Sequence, residues 1–229
     1  MQKIKKNPKM PHLFRIDLRG RSGIATENLV AGNSIYGEII INECDTEYRM
    51  WDPRRSKLAA LINKGYTPEI GEDSIILYLG AASGTTVSHL SDIVTSGIIF
   101  AVEFSQRPMT KLIRVCEPRR NLIPIFSDAH HPEEYSPMVP EVDIIYQDIA
   151  QRDQIEIALL NAKFYLKMGG TLILMLKTRS IDSTAKPTDL AKQEIEKLKG
   201  NFSVIKTIDL RPFHKDHQAI IAKYDKIGS

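Results

Sequence analysis

The chain has 229 residues, 42% hydrophobic and 26% charged, enough for one substantial core or one core plus a small appended domain of ordinary globular composition. The formal net charge of +3 is too small to establish a nucleic-acid partner by itself, and two cysteines, Cys44 and Cys116, without metal-ligand spacing exclude a disulfide framework or a zinc site. With no signal-peptide pattern at its start and no apolar run long enough to span a bilayer, the chain is expected to be soluble, intracellular and without a membrane partner.

Lys3, Lys5, Lys6 and Lys9, which precede any apolar pattern, point more to a nucleic-acid partner than the net charge does, and a solvated, flexible terminus explains them equally well. From His12 to about Glu47 the sequence reads as short strands and turns. His12–Leu18 alternates, Gly20 and Gly23 punctuate, and Ile35–Ile41 resumes. A small antiparallel β domain over residues 1–50 is expected, with a larger domain over 51–229. Tyr48-Arg-Met-Trp-Asp-Pro-Arg-Arg-Ser-Lys57 reads as a basic, aromatic connector entering a helix from Ser56 to about Lys64, closed by Gly65. Arg54 and Arg55, beside the only tryptophan, suit phosphate or base contact; Trp51 itself suits a buried junction equally well.

Ser74-Ile-Ile-Leu-Tyr-Leu-Gly-Ala-Ala-Ser-Gly-Thr-Thr-Val-Ser-His89 organises the rest. An apolar run fit for a strand buried on both faces breaks at Gly80 and Gly84 before a helix from Thr85 to about Val94. Such a turn, Gly80 through Ala82 to Gly84, brings backbone N–H groups and a helix N-terminus to a nucleotide-like ligand. The G-x-x-x-G spacing lacks the G-x-G-x-x-G of dinucleotide folds and the lysine of a P-loop. S-adenosylmethionine, a nucleoside cofactor without phosphates, fits; a plain strand-to-helix turn is the alternative.

Gly97–Glu103 reads as a second buried strand ending on a carboxylate, roughly 20 residues past the turn, the separation at which an acid meets ribose hydroxyls. A helix from Gln106 to about Glu117 and a strand Asn121–Phe126 follow, with Asp128 beyond the strand end, placed either to meet an adenine amino group or simply to start a loop. His130–Pro137 reads as a loop; its adjacent histidines diverge and find no third ligand, so no metal is expected. Val142–Asp148 is a fourth strand, Gln151–Lys167 a helix, Gly169-Gly170 a turn, and Thr171–Lys177 a fifth strand closed by a lysine that either needs a carboxylate or a substrate or merely marks the strand end at the surface. Lys186–Lys199 reads as a helix, and Phe202–Ile208 with His217–Tyr224 as a closing hairpin at the sheet edge.

Several passages carry a resemblance: Tyr48–Ala60, Leu77–His89, Ala101-Val-Glu-Phe-Ser105, Gln147-Asp-Ile-Ala-Gln151, Lys177-Thr-Arg-Ser-Ile-Asp182 and Asp216-His217. From about Gly20 to its end the chain resembles the fibrillarins, RNA-guided 2′-O-methyltransferases, in the archaeal form that lacks a Gly/Arg-rich N-terminal extension. The resemblance implies a class I S-adenosylmethionine-dependent methyltransferase fold, a Rossmann-like, mostly parallel seven-stranded sheet with an antiparallel last strand, preceded by a small β domain. It implies cofactor contacts at Thr85, Thr86, Glu103, Phe104, Asp128, Ala129, Asp148 and Gln151, a catalytic set at Lys57, Asp148, Lys177 and His217, and RNA contact at Arg179 beside Arg54 and Arg55. Its implied partners are a box C/D guide RNA, a coiled-coil scaffold protein, a kink-turn-binding ribosomal-type protein and the rRNA or tRNA substrate, in the cytoplasm of an archaeal cell.

A ribose hydroxyl needs a positioned base, for which Lys177 is the candidate; Lys57 is then the second cation, Asp148 the group holding the ammonium groups, and His217 an orienting or substrate-touching residue. The rival readings are a methyltransferase fold that binds RNA or a partner without catalysing, and a nicotinamide-dependent oxidoreductase, which the glycine spacing disfavours.

Overall fold

The computed structural model describes residues 4–18, 20–181 and 187–225. Lys3, Asp182 and Lys186, used in the readings above, lie outside them.

Five strands form the first sheet: β1 (Ile4–Lys6), β2 (Leu13–Leu18), β3 (Arg21–Glu27), β4 (Ile40–Glu43) and β5 (Thr46–Met50), in the order β1-β2-β3-β5-β4, antiparallel throughout. The chain then alternates α1 (Lys57–Asn63), β6 (Ile75–Leu79), α2 (Thr85–Ile93), β7 (Ile98–Glu103), α3 (Gln106–Cys116), β8 (Leu122–Phe126), β9 (Val142–Gln147), α4 (Gln154–Tyr165) and β10 (Leu166–Lys177). The short α5 (Thr178–Ile181), α6 (Pro187–Leu198), β11 (Phe202–Asp209) and β12 (His217–Tyr224) complete it. The seven-stranded sheet runs β11-β12-β10-β9-β6-β7-β8, with β12 antiparallel to both neighbours.

The continuous apolar runs exist because this sheet is covered on both sides. Alternation sends Ile76 and Tyr78 of β6 into one core with residues of α1, α2 and α3, and Leu77 and Leu79 into the other with residues of α4 and α6. Met10, Leu13, Ile24 and Trp51 fall in the first of these cores, so the small sheet is fastened to the α1–α3 face rather than standing on its own few buried residues. Trp51 is buried and stacks on His89 with ring centroids 4.7 Å apart.

Charge is buried at the same junction. Arg49 of β5, fully buried, donates to Asp92 of α2 at 2.9 Å, to Ser88 at 3.0 Å and to Glu38 at 2.7 Å, while Arg119 donates to the other Asp92 oxygen at 2.7 Å. Thr26 also donates to Asp92, at 2.7 Å, so its one hydroxyl hydrogen is used and the 2.7 Å contact to His89 Nδ1 requires that nitrogen to carry the hydrogen. His89 Nε2 then accepts from the Tyr36 hydroxyl at 2.8 Å, and burial, with the charges of Arg49 and Arg119, holds the ring neutral.

Several expectations are corrected here. Lys5 and Lys6 belong to β1, paired with β2, rather than to a free head. Tyr48, Arg49 and Met50 are strand, not connector, because the Arg49 side chain finds its carboxylates inside the protein. Ile35–Ile39 is loop, since the Glu38 carboxylate caps the Ile35 and Tyr36 N–H groups at 3.0 and 2.8 Å and curls the chain before β4. Gly169-Gly170 lies inside β10 as an irregularity between Leu166 and Thr171, where Gly169 takes φ +71° and a Cβ on Gly170 would meet Leu166 at 2.7 Å. Pro132–Tyr135 is a 3₁₀ turn, and α4 starts at Gln154 rather than Gln151.

Removing the Asp92 carboxylate leaves two buried guanidinium groups without their shared counter-ion. Asp92→Ala is expected to cost about 3–5 kcal/mol, measured by chemical denaturation.

Candidate active site

The glycine turn takes its shape from three left-handed residues: Gly80 at φ +81°, Ala82 at +50° and Gly84 at +95°. A Cβ on Gly80 would lie 2.6 Å from the Asp148 carbonyl oxygen, so only glycine lets the turn close onto the end of β9. At the end of β7, the buried Glu103 accepts from the Ala82 N–H at 2.9 Å and from the Ser105 N–H at 2.7 Å. Both its oxygens are fixed, yet each keeps a lone pair for a ligand.

A crevice of about 310 Å³ opens above these strand ends, bordered by Gly80, Ala82, Glu103 and the exposed ring of Phe104, and on the far side by Asp128, Ala129, Asp148 and Gln151. These eight predicted residues are brought together. Gly84, Thr85 and Thr86 are not on it: Gly84 is packed against Val115, Thr85 borders a different groove, and the Thr86 hydroxyl donates to Ser56 at 2.9 Å. Helix α2 turns their side chains away as soon as it begins. Ser56 is itself the cap of α1, accepting from the Ala59 N–H, so this bond ties the two helix starts together.

Asp128 is engaged rather than open. His130 bridges it to Asp153, with ring nitrogens 2.7 and 2.9 Å from the two carboxylates, and its own N–H reaches Asp128 at 3.0 Å. The hydrogen bond to Asp128, helped by Asp153, lifts the His130 pKa; burial pushes the Asp128 carboxyl up, but the bonds from His130 outweigh it and hold it low. Sequence reasoning had weighed His130 only as a metal ligand; its partner Asp153 lies beyond any local pattern.

Lys57, first residue of α1, and Asp148, just past β9, form a two-pronged ion pair at 2.7 and 3.0 Å, both largely buried. Lys177, half-buried at the end of the neighbouring β10, has no carboxylate within 4.0 Å among the described residues. Asp148 therefore holds one ammonium, not two. The Lys177 backbone is fixed by Gln154, which accepts from its N–H at 2.8 Å and donates to its carbonyl at 3.1 Å. His217 sits directly across from Lys177 in β12. Its Nδ1 lies 2.7 Å from the Lys215 carbonyl, which only accepts, so Nδ1 carries the hydrogen and Nε2 is left as an acceptor. Burial, with the charge of Lys57, lowers its pKa against the pull of that carbonyl. His214, which nothing in the sequence marked, donates to the Pro53 carbonyl at 2.9 Å and packs edge-on to His217 at 5.9 Å.

Of the three arginines, Arg54 and Arg55 are exposed, and Arg55 lies over the Tyr36 ring at 5.2 Å. Arg179, also exposed, pairs with Asp216 at 2.7 Å, while the Asp216 carbonyl accepts from the Thr178 N–H at 3.1 Å. The segments around Lys177 and His217 are thereby lashed together.

The bridge at His130 sets a pH dependence. A histidine whose pKa is raised in the folded protein stabilises it fully below the unfolded value, about 6.5, and loses that contribution as pH rises through the folded value. The stability difference between the wild type and His130→Asn, from thermal melts, is expected to be largest between about pH 5 and 6.5 and to shrink toward pH 9.

The family model described as Fibrillarin matches residues 4–226. A fibrillarin-like rRNA/tRNA 2′-O-methyltransferase of Methanopyrus kandleri is 50% identical over 209 residues, covering 90% of each chain. The crystal structure of Aeropyrum pernix fibrillarin in complex with natively bound S-adenosyl-L-methionine superposes with a TM-score of 0.88 at 41% identity, over 96% of this chain and 97% of that one. The match to a chain of a fibrillarin/Nop5p complex has a TM-score of 0.87 at 44% identity, over 96% and 100%.

Proposed function

This chain belongs to the fibrillarin family, and from that premise we propose that it methylates the 2′-hydroxyl of riboses in rRNA and tRNA, using S-adenosylmethionine, as the catalytic subunit of a guide-RNA-directed box C/D ribonucleoprotein. The crevice fits the cofactor: a fixed carboxylate suits ribose hydroxyls, Phe104 offers a face to a purine, and the glycine turn leaves room for backbone approach without a phosphate-binding lysine. When bound, S-adenosylmethionine supplies a methyl carbon activated by a positively charged sulfur.

The single observation carrying the reading is the unequal treatment of two lysines. Lys57 is committed to Asp148, while Lys177, at the end of the neighbouring strand and with no carboxylate within 4.0 Å among the described residues, is the amine left uncommitted for a substrate hydroxyl. Lys177 takes the ribose proton as the hydroxyl oxygen attacks. Lys57 fixes the field at that corner, and the neutral His217 offers Nε2 to a substrate hydroxyl or to the Lys57 ammonium.

The partners of the working particle are a coiled-coil scaffold protein of the Nop5p kind, a kink-turn-binding ribosomal-type protein and the guide RNA, placing the chain in the cytoplasm with its RNA substrates. No helix among the described residues is long and apolar enough to cross a membrane.

In the assembled particle, Lys177→Ala is expected to lower methyl transfer about 10²- to 10⁴-fold in a tritiated-methyl assay, with cofactor binding retained; near-normal transfer would remove the base assignment. The purified chain alone is expected to methylate RNA poorly and to gain activity when guide RNA and both proteins are added. Robust guide-independent transfer contradicts the assembly, and no transfer in the full mixture favours a non-catalytic binding module.

A further inference from the structure

The turn between β6 and α2 has two sides. Gly80 and Ala82 border the crevice; Ser83 and Thr85 border a second groove, of about 470 Å³, closed by Tyr36, Arg55, Lys111 and Arg114. Along α3, Arg107, Lys111 and Arg114 recur at i, i+4 and i+7, so one exposed stripe carries three cations while Met109, Leu112, Val115 and Cys116 are buried. No acidic side chain borders the groove, and among the described residues neither Arg55 nor any of those three cations lies within ion-pair distance of a carboxylate. The contact with Tyr36 holds the Arg55 guanidinium, a planar fork of donors, at the groove's edge.

We propose that this groove receives the sugar-phosphate backbone of the target RNA strand beside the ribose being methylated, an inference that rests on the ribose-methylation reading above. A ribose within a polymer arrives with a phosphate on each side, and the surface next to the reacting lysines must accept at least one of them. Arg55 is two residues from Lys57, and the Ser56–Thr86 bond locks that segment to the start of α2, so groove and reacting corner are parts of one rigid frame. The lining offers cations and neutral hydroxyls with no competing carboxylate, which suits phosphate oxygens. Charge alone would also suit an acidic protein segment. The adjacent ribose site decides for RNA, and contacts of this kind set the strand's position without reading its bases.

The test uses the fully assembled particle carrying Lys111→Ala with Arg114→Ala, two exposed positions whose truncation leaves the α3 core face intact. Losing two phosphate contacts is expected to reduce the magnitude of the log–log salt slope for target-RNA binding by about 1.4, at roughly 0.7 per contact on single strands, and to raise the KM for target RNA about tenfold. Cofactor affinity and co-elution with the scaffold protein are expected to hold. An unchanged salt slope overturns the proposal, and so does loss of scaffold association at an unchanged slope, which would make the groove a protein interface. The slope is read without methyl transfer, so an inactive wild-type particle would defeat the catalytic reading and still leave this result interpretable.

Discussion

The ion pair between Lys57 and Asp148 joins residues 91 positions apart and holds the start of α1 against the end of β9. Its cost in desolvation is limited because both side chains keep about a fifth of their surface in contact with solvent, and its geometry is two-pronged. The arrangement has a chemical consequence. One carboxylate shared between two lysines would leave neither distinct; committed to Lys57, it leaves Lys177 with no carboxylate partner among the described residues. Which lysine reaches Asp148 is thus what distinguishes the two in the structure.

That pairing depends in turn on the small sheet. Helix α1 follows directly on Trp51 and the exposed Arg54 and Arg55, and this lead-in is fixed by the Trp51–His89 stack and by Arg49 reaching Asp92 and Ser88 on α2. Burying a guanidinium pair on one carboxylate is a weak source of net stability, but any alternative packing of the two sheets would strand a charge. The cluster therefore selects one orientation of the small sheet, and with it one position for Lys57. His214, bonded to the Pro53 carbonyl, secures the same lead-in from the opposite edge.

Much of the large sheet was legible because its strands are buried on both faces and so appear as unbroken apolar runs ended by glycine, carboxylate or lysine. Glu103, Asp128, Asp148 and Lys177 stood out as polar residues at strand ends, where parallel-sheet geometry collects them. Lys57 and His217 became visible only through family resemblance, since one opens a helix and the other an edge-side strand, and neither position carries a local signature. Arg49 was misplaced for a physical reason: a basic residue beside a tryptophan looks solvated unless its carboxylate partners, here Glu38 and Asp92, can be foreseen from 11 and 43 residues away. The Gly169-Gly170 irregularity was similarly hidden, because a glycine pair that bends a strand and one that ends it read alike.

The glycine turn lets one short segment border two different concavities. Its left-handed residues pull the backbone down onto Asp148 and Glu103 on one side, which makes the crevice, and the abrupt start of α2 throws Ser83 and Thr85 to the other, toward the cations of α3. A net charge of only +3 suffices for such a surface if its cations are gathered beside the reacting corner rather than spread over the molecule. Contacts to phosphate place a strand without identifying it. In the ribonucleoprotein proposed above, the choice of nucleotide would then have to come from base pairing elsewhere, which is a physical argument for a guide RNA in that proposal.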